Sequence, residues 1–500
     1  MYFKHLTISV VFISIATAAM AGNNNDFPQQ AHLPNDAHAT CVANIAPWFV
    51  GGEVEKNGWV EPADSMNPIF DDFTDNTRCD FYKWGAQMFL WLTSGAGTEH
   101  VFNSTPNFYN ISVADADKQR IFYSGPMQMG VRKSKTDDEM ELGQAGGSDV
   151  LLSQQQSLVY YGIHANDVYA LFRTSEQGST VPEFPSTQTA LNKVNKFATD
   201  YGYTIFDLNA MAMELKTSWV DISTVSNKAD YIISNAVVPI FDRAPKDSSG
   251  KQQWTITGDE SKILALVGMH VVGTVNGHPE MIWSTFEHVN NAPDNTYVYT
   301  TNILEGATLK DAIHSYNSSG TWNFIESNAS APATLVANAK VGSYYPSLDP
   351  GTPPACTGLN DKDATECIVN IGGADISDID ILRVSPWGND PDESSSTANN
   401  TDLVSINVSV LSQLKAGDKR GNYVQTGGIW TAEGQIPSGG LDVSLRGSLS
   451  LANTTMETFH QFYVTGSNDP KNCFGCHSST STAPTGISHI FSELLPLPRN

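Results

Sequence analysis

The sequence predicts an α+β fold, a substantial antiparallel sheet with flanking helices, and three observations carry that prediction. Apolar residues fill 40% of the 500 positions and aromatics 10%, enough for a large core and enough to exclude general disorder. Apolar stripes at helical spacing and stretches that alternate apolar with polar both recur along the chain. Charged residues are only 16%, against about a quarter in an average globular protein, while 39 glycines and 25 prolines punctuate the chain. Such a composition excludes a coiled coil or a long-helix protein.

The elements follow in order. Lys4 and His5 form a short basic start, Leu6 to Ala16 is an apolar run, and Ala19-Met20-Ala21 places small residues before Gly22. This is the pattern of a cleavable secretory signal over residues 1–21, with cleavage near Ala21/Gly22. The run is too short to span about 30 Å of hydrocarbon, and no later stretch is long enough, so no membrane span is expected. Phe81, Trp84, Met88, Trp91 and Leu92 predict a first helix after candidate caps at Asp75 to Thr77. Residues 157–173 read as two strands around Asn166-Asp167. Leu191, Val194, Phe197, Ala198 and Tyr201 predict a second helix, opened by Pro185-Ser186 and closed by Gly202. Met213, Leu215, Thr217 and Trp219 alternate with Glu214, Lys216 and Ser218 as in a strand, and the clearest hairpin runs from Lys262 to His288, turning at Asn276-Gly277. The stretches 317–356 and 388–401 read as loops, and the acidic run Asp137 to Glu141 as a solvated face. Leu403, Ile406, Val410, Leu411 and Leu414 predict a third helix after Thr401-Asp402. The division expected is a signal at 1–21, an α+β body at 22–450, and a C-terminal segment at 451–500 packed on the body.

Charge narrows the partners. Lys plus Arg total 28 against 53 Asp plus Glu, a net charge of −25 that becomes −26 when Lys4 leaves with the signal. Nucleic acid and anionic membrane surfaces are repelled, and an electrostatically steered partner should be basic.

Export sets the redox compartment in which six cysteines are read. Cys356 and Cys367 bracket a short loop and predict a local disulfide, and Cys41 with Cys79 is the remaining pair. Cys473 and Cys476 then stand in Cys473-Phe-Gly-Cys476-His477, the CxxCH pattern of covalent haem c attachment. Two thiols one helical turn apart add to the two vinyl groups of the porphyrin, and the adjacent His reaches the iron. Cys473 and Cys476 would form the thioethers and His477 the axial bond to the haem iron. A structural disulfide, a thiol redox pair and half a zinc site are the competing readings. Zinc lacks a second Cys or His pair nearby, and a redox pair belongs early in a small α/β unit. Only 23 residues follow His477 and none is Met, so a small cytochrome domain cannot be built after the motif.

Several further strings recur together: Phe81-Tyr-Lys-Trp84 to Leu92, Glu214-Leu-Lys-Thr-Ser-Trp219, Gly268-Met-His270 leading to Trp283-Ser-Thr-Phe-Glu-His288, and Leu451 to Phe459 ahead of the motif. In this ordered set the chain resembles a bacterial group of exported cytochrome c-like proteins, about this long, with one C-terminal CxxCH. The resemblance implies one covalent haem c and an oxidoreductive role, and names no reaction.

The second axial position then decides function, since a protein ligand there makes an electron carrier and an open site permits small-molecule chemistry. His489, Met456 and His460 are considered, as are His270 and His288, whose even positions within their own strands would give them a shared face of the hairpin, with Glu287 as an acid/base on the other; each is also an ordinary structural side chain. The expected function is a periplasmic monohaem electron-transfer protein with a basic redox partner. The alternatives are a peroxidase- or oxidase-like haem oxidoreductase and a haem-free exported binding protein with a structural Cys473–Cys476 disulfide.

Overall fold

The computed structural model describes residues 32–67, 78–114, 117, 119–128, 148–176, 183–344, 356–357, 365–389, 396–461 and 472–498. The signal at 1–21, the caps at 75–77 and the acidic run at 137–141 lie outside them. In chain order the main elements are α1 (Arg78–Leu92), β1 (Phe108–Ile111), β2 (Tyr160–Asn166), α2 (Asp167–Ser175), α3 (Gln188–Asp200), β3 (Met213–Asp221), β4 (Ile233–Phe241), β5 (Gln253–Val275), β6 (His278–His288), β7 (Ala339–Tyr344), β8 (Thr365–Asn370), α4 (Ser396–Leu411), β9 (Tyr423–Thr431), β10 (Leu445–Gly447) and α5 (Cys473–Cys476). This is the α+β architecture expected. No helix among the described residues is long and apolar enough to cross a membrane.

Among the described residues thirteen strands form one sheet, antiparallel except where Met127–Gln128 runs parallel to β4. Its axis is β5, 23 residues long, which pairs with β8, β4, β3 and β6 along successive parts of its length. From β3 the sheet continues to β2 and β1, and from β6 to β9 and β10. The β5–β6 hairpin turns at Asn276-Gly277 as expected, with Gly277 at φ +80°, a conformation that suits glycine.

The register gives the sheet two unlike faces. Met213, Leu215, Met269, Val271 and Phe286 share a core with α1 and α4, where Phe89 stacks on Phe286 at 4.3 Å. Gly85 allows α1 this approach, since a Cβ there would meet Ser284 Oγ at 2.5 Å. On the other face Val272, Trp283 and Ile429 share a second core with α2, α3 and the C-terminal residues Phe474, Ile487, Ile490, Phe491, Leu494 and Leu497.

Several local expectations are corrected. Residues 157–173 are one strand and one helix: Asn166 is the N-cap of α2, its side chain accepting from Tyr169 N–H, so Asn-Asp acts as a cap where a turn was expected. Thr187, not Pro185-Ser186, caps α3. The stretch 317–356 contains β7, and α4 starts at Ser396, inside the stretch read as a loop at 388–401. Both expected disulfides, Cys41–Cys79 and Cys356–Cys367, are formed.

Candidate functional site

The CxxCH motif forms a single helical turn, α5, in which His477 N–H donates to the Cys473 carbonyl at 2.8 Å. The side chains of three residues, Asn472, Phe474 and His477, hold it in place. The Asn472 amide donates to the carbonyls of Gly440 and Leu449, both at 2.9 Å. Phe474 is buried edge-on to Trp283, 5.7 Å between ring centres. His477 lies between the Trp283 ring at 4.4 Å and the His489 ring at 4.0 Å. Cys473 is half-buried and Cys476 exposed, and neither belongs to a disulfide.

The tautomer of His477 is fixed by its surroundings. Its Nδ1 is 2.8 Å from the Ile487 carbonyl, which can only accept, so the ring proton sits on Nδ1 and the lone pair on Nε2. Burial, and then the neighbouring His489 and the more distant Lys216 and His270, hold the ring well below the ordinary histidine range, so it is neutral. A neutral imidazole whose other nitrogen is tied to a carbonyl is the form that binds a metal. The donor set therefore fits a haem c: two thiols on one turn and an oriented axial nitrogen.

Beneath the motif the sheet supplies polar rows. Lys216, His270 and Thr285 are register partners across β3, β5 and β6; two residues along, so are Glu214, Val272 and Trp283. In the opposite direction Ser218 and Glu287 flank Gly268. Residues 453–457 sit on that last row: Thr455 Oγ1 bonds Ser218 Oγ at 2.6 Å, and Thr454 N–H donates to Glu287 at 2.9 Å. Residues 473–489 sit on the first flanking row, where Ser488 donates to Glu214 at 2.6 Å. The Lys216–His270–Thr285 row lies in the seam between these two stretches. His270 spans it, with Nδ1 2.9 Å from Thr285 Oγ1 and Nε2 3.0 Å from Glu457 Oε1. Burial alone would raise the Glu457 carboxyl, but the charge and hydrogen bond of His270, the Lys216 charge and the Asn453 N–H outweigh it and hold it below its usual range. Burial, and then Glu457, push the Cys473 thiol well up.

The residues considered for the second axial position separate clearly. His489 is exposed, stacks on a face of His477 and places Nε2 3.2 Å from the Cys476 carbonyl, so it belongs with the proximal ligand. Met456 is fully buried in a separate apolar cluster and His460 is exposed on a 3-10 turn. The shared face expected for His270 and His288 is overturned. A two-residue turn pairs Val275 with His278, so partners across this hairpin have opposite parity and His270 faces Thr285. Glu287 is thus on the His270 face, where Arg383 at 3.3 Å and Thr454 occupy its carboxylate. His288 is on the other face, stacked on Tyr231 at 3.9 Å.

Sequence reasoning missed Lys216, Trp283 and the Ile487 carbonyl as parts of this site. The signal available was the polar set Glu214, Lys216 and Ser218 on an otherwise apolar central strand. A cleft lined by residues including His32, His314, Trp322 and Arg383 involves none of the motif residues. Comparison with protein-family models finds no matching family, and comparison with curated proteins and with solved structures finds no match either.

Proposed function

We propose that the chain is an exported, periplasmic monohaem c-type cytochrome-like protein with an electron-transfer role. The haem is attached at Cys473 and Cys476 and ligated by His477. The observation that carries this is the hydrogen bond of His477 Nδ1 to the Ile487 carbonyl, which leaves Nε2 for the iron. The resemblance to exported cytochrome c-like proteins supports it, as do two disulfides that suit an oxidising compartment. When bound, the group supplies one-electron chemistry; the chain's part is to orient the axial nitrogen, bury the ring between Trp283 and His489, and set the local charge through Lys216, His270 and Glu457.

One observation favours a second reading. The His270–Glu457 pair, with Lys216 beside it, is an acid–base cluster in electrostatic reach of His477, as a peroxidase- or oxidase-like enzyme would need. A carrier has a low-spin ferric spectrum and does not react with peroxide; an enzyme is high-spin and reacts rapidly. The haem reading itself is tested by a pyridine haemochrome spectrum of protein made with the haem c maturation machinery. A c-type spectrum lost in the Cys473→Ala/Cys476→Ala variant is expected, and its absence from the wild type refutes the proposal.

A further inference from the structure

Beside the motif, residues 437–449, a loop that runs into β10, present apolar side chains to solvent. Val443 is 95% exposed, Leu441 69% and Leu449 48%, whereas Leu445 of the same stretch is buried. The exposure is built into a tightly bonded loop. The Asp442 carboxylate accepts four hydrogen bonds: Ser438 N–H at 2.9 Å and Oγ at 2.7 Å on one oxygen, and Ser444 N–H at 2.9 Å and Oγ at 2.7 Å on the other. This clamp fixes the residues on either side of Asp442 with Leu441 and Val443 turned outward. The loop is also joined to the motif, because Asn472 donates to Gly440 and Leu449 carbonyls and Ser479 N–H donates to the Pro437 carbonyl at 3.0 Å. An apolar patch tied by these bonds to the segment that carries the exposed Cys476 would border a haem attached there.

We infer that the 437–449 segment is the docking surface for a basic redox protein, one that presents an apolar patch ringed by lysine or arginine. Charge selects this occupant: the chain carries −25, Glu433 is exposed next to the loop, and the loop's one cation, Arg446, turns its guanidinium onto the carbonyls of Val443 and Leu445 at 3.2 and 2.8 Å. An acidic partner, including a second copy of this chain, is repelled. The apolar patch supplies the short-range contact and the surrounding charge the steering.

The inference rests on the electron-transfer reading above. Its test compares two oxidants of the reduced, haem-loaded protein, a lysine-rich small c-type cytochrome and the small hexaammineruthenium cation, with wild type and with a Leu441→Ser/Val443→Ser variant. The second-order rate with the basic cytochrome should fall about tenfold in the variant, as expected when two apolar side chains are no longer buried against a docked partner, while the rate with the small cation is unchanged. An unchanged rate with the cytochrome overturns the docking surface. So does a parallel fall with both oxidants, because that places the defect at the haem. A wild-type chain without covalent haem fails in the spectrum before any rate is read, and removes the underlying reading together with this one.

Discussion

Trp283→Ala should release the motif while leaving the rest of the C-terminal segment docked. Trp283 is 7% exposed and joins the sheet to α5 through ring contacts with Phe474 and His477, and its indole N–H donates to the Glu280 carbonyl at 3.0 Å. Emptying such a site costs about 3–5 kcal/mol of global stability. The two ring pairs add roughly 0.5–1.5 kcal/mol each to holding α5, so amide exchange there should speed up about ten- to a hundredfold. The other anchors are independent. Arg120 pairs with Glu493 at 2.7 Å, Leu495 N–H donates to the Arg120 carbonyl at 2.8 Å, and Tyr169 holds Ser488 at 2.9 Å. Hydrogen exchange read residue by residue should therefore show a larger acceleration at His477 N–H than the global loss imposes on Leu495 N–H. Equal acceleration at both, or none at His477, would refute the claim that Trp283 seats the motif. Trp283→Phe should recover most of the protection.

Three further predictions are independent of it. Gly268→Ala places a Cβ 2.6 Å from both Ser218 Oγ and Thr455 Oγ1, so it should lift residues 453–457 and lower stability by about 1–3 kcal/mol in a urea titration; no loss would show that the stretch does not sit on Gly268. Burial holds His164 and His288 near 3 and His100 near 4. Because the unfolded chain binds these protons first, stability should fall as pH drops from 6.5 to about 4, by about 1.4 kcal/mol per pH unit per histidine, and His164→Gln should flatten the urea-derived slope by one such share. Glu457 is held below its usual range, so its contribution is full above about pH 4.3 and is lost as pH falls through the folded value; the difference in unfolding midpoint between wild type and Glu457→Gln should be present at pH 7 and vanish in acid, and a pH-independent difference contradicts the His270–Glu457 pair.

How much of this was legible in the sequence depended on range. The apolar stripes of α1, α3 and α4 and the Asn276-Gly277 turn are local signals that found those elements, although α4 begins at Ser396, ahead of the start expected after Thr401-Asp402, and ends before Leu414. Asn166-Asp167 failed because a cap and a turn use the same residues, and the helix is supported by distant contacts such as those of Tyr169 and Phe172 with Phe491. The motif Cys473–His477 was visible from spacing alone. Its setting was not: alternation set Glu214 on the strand face opposite Met213 and Leu215, but carries no sign that Ser488, more than 200 positions away, donates to it. The assignment of faces on the hairpin failed because parity was counted within each strand, while the face shared across a hairpin follows from the sum of the paired positions.

Covalent haem on Cys473 and Cys476 with His477 on its iron is tested most directly by mass spectrometry of digested protein, exported from cells carrying the haem c maturation machinery. The peptide spanning Cys473 to His477 should carry the mass of one haem through both cysteines, and a His477→Ala variant should keep this mass but change its Soret and α-band spectrum. A peptide with two unmodified thiols, or with Cys473 joined to Cys476, would contradict it.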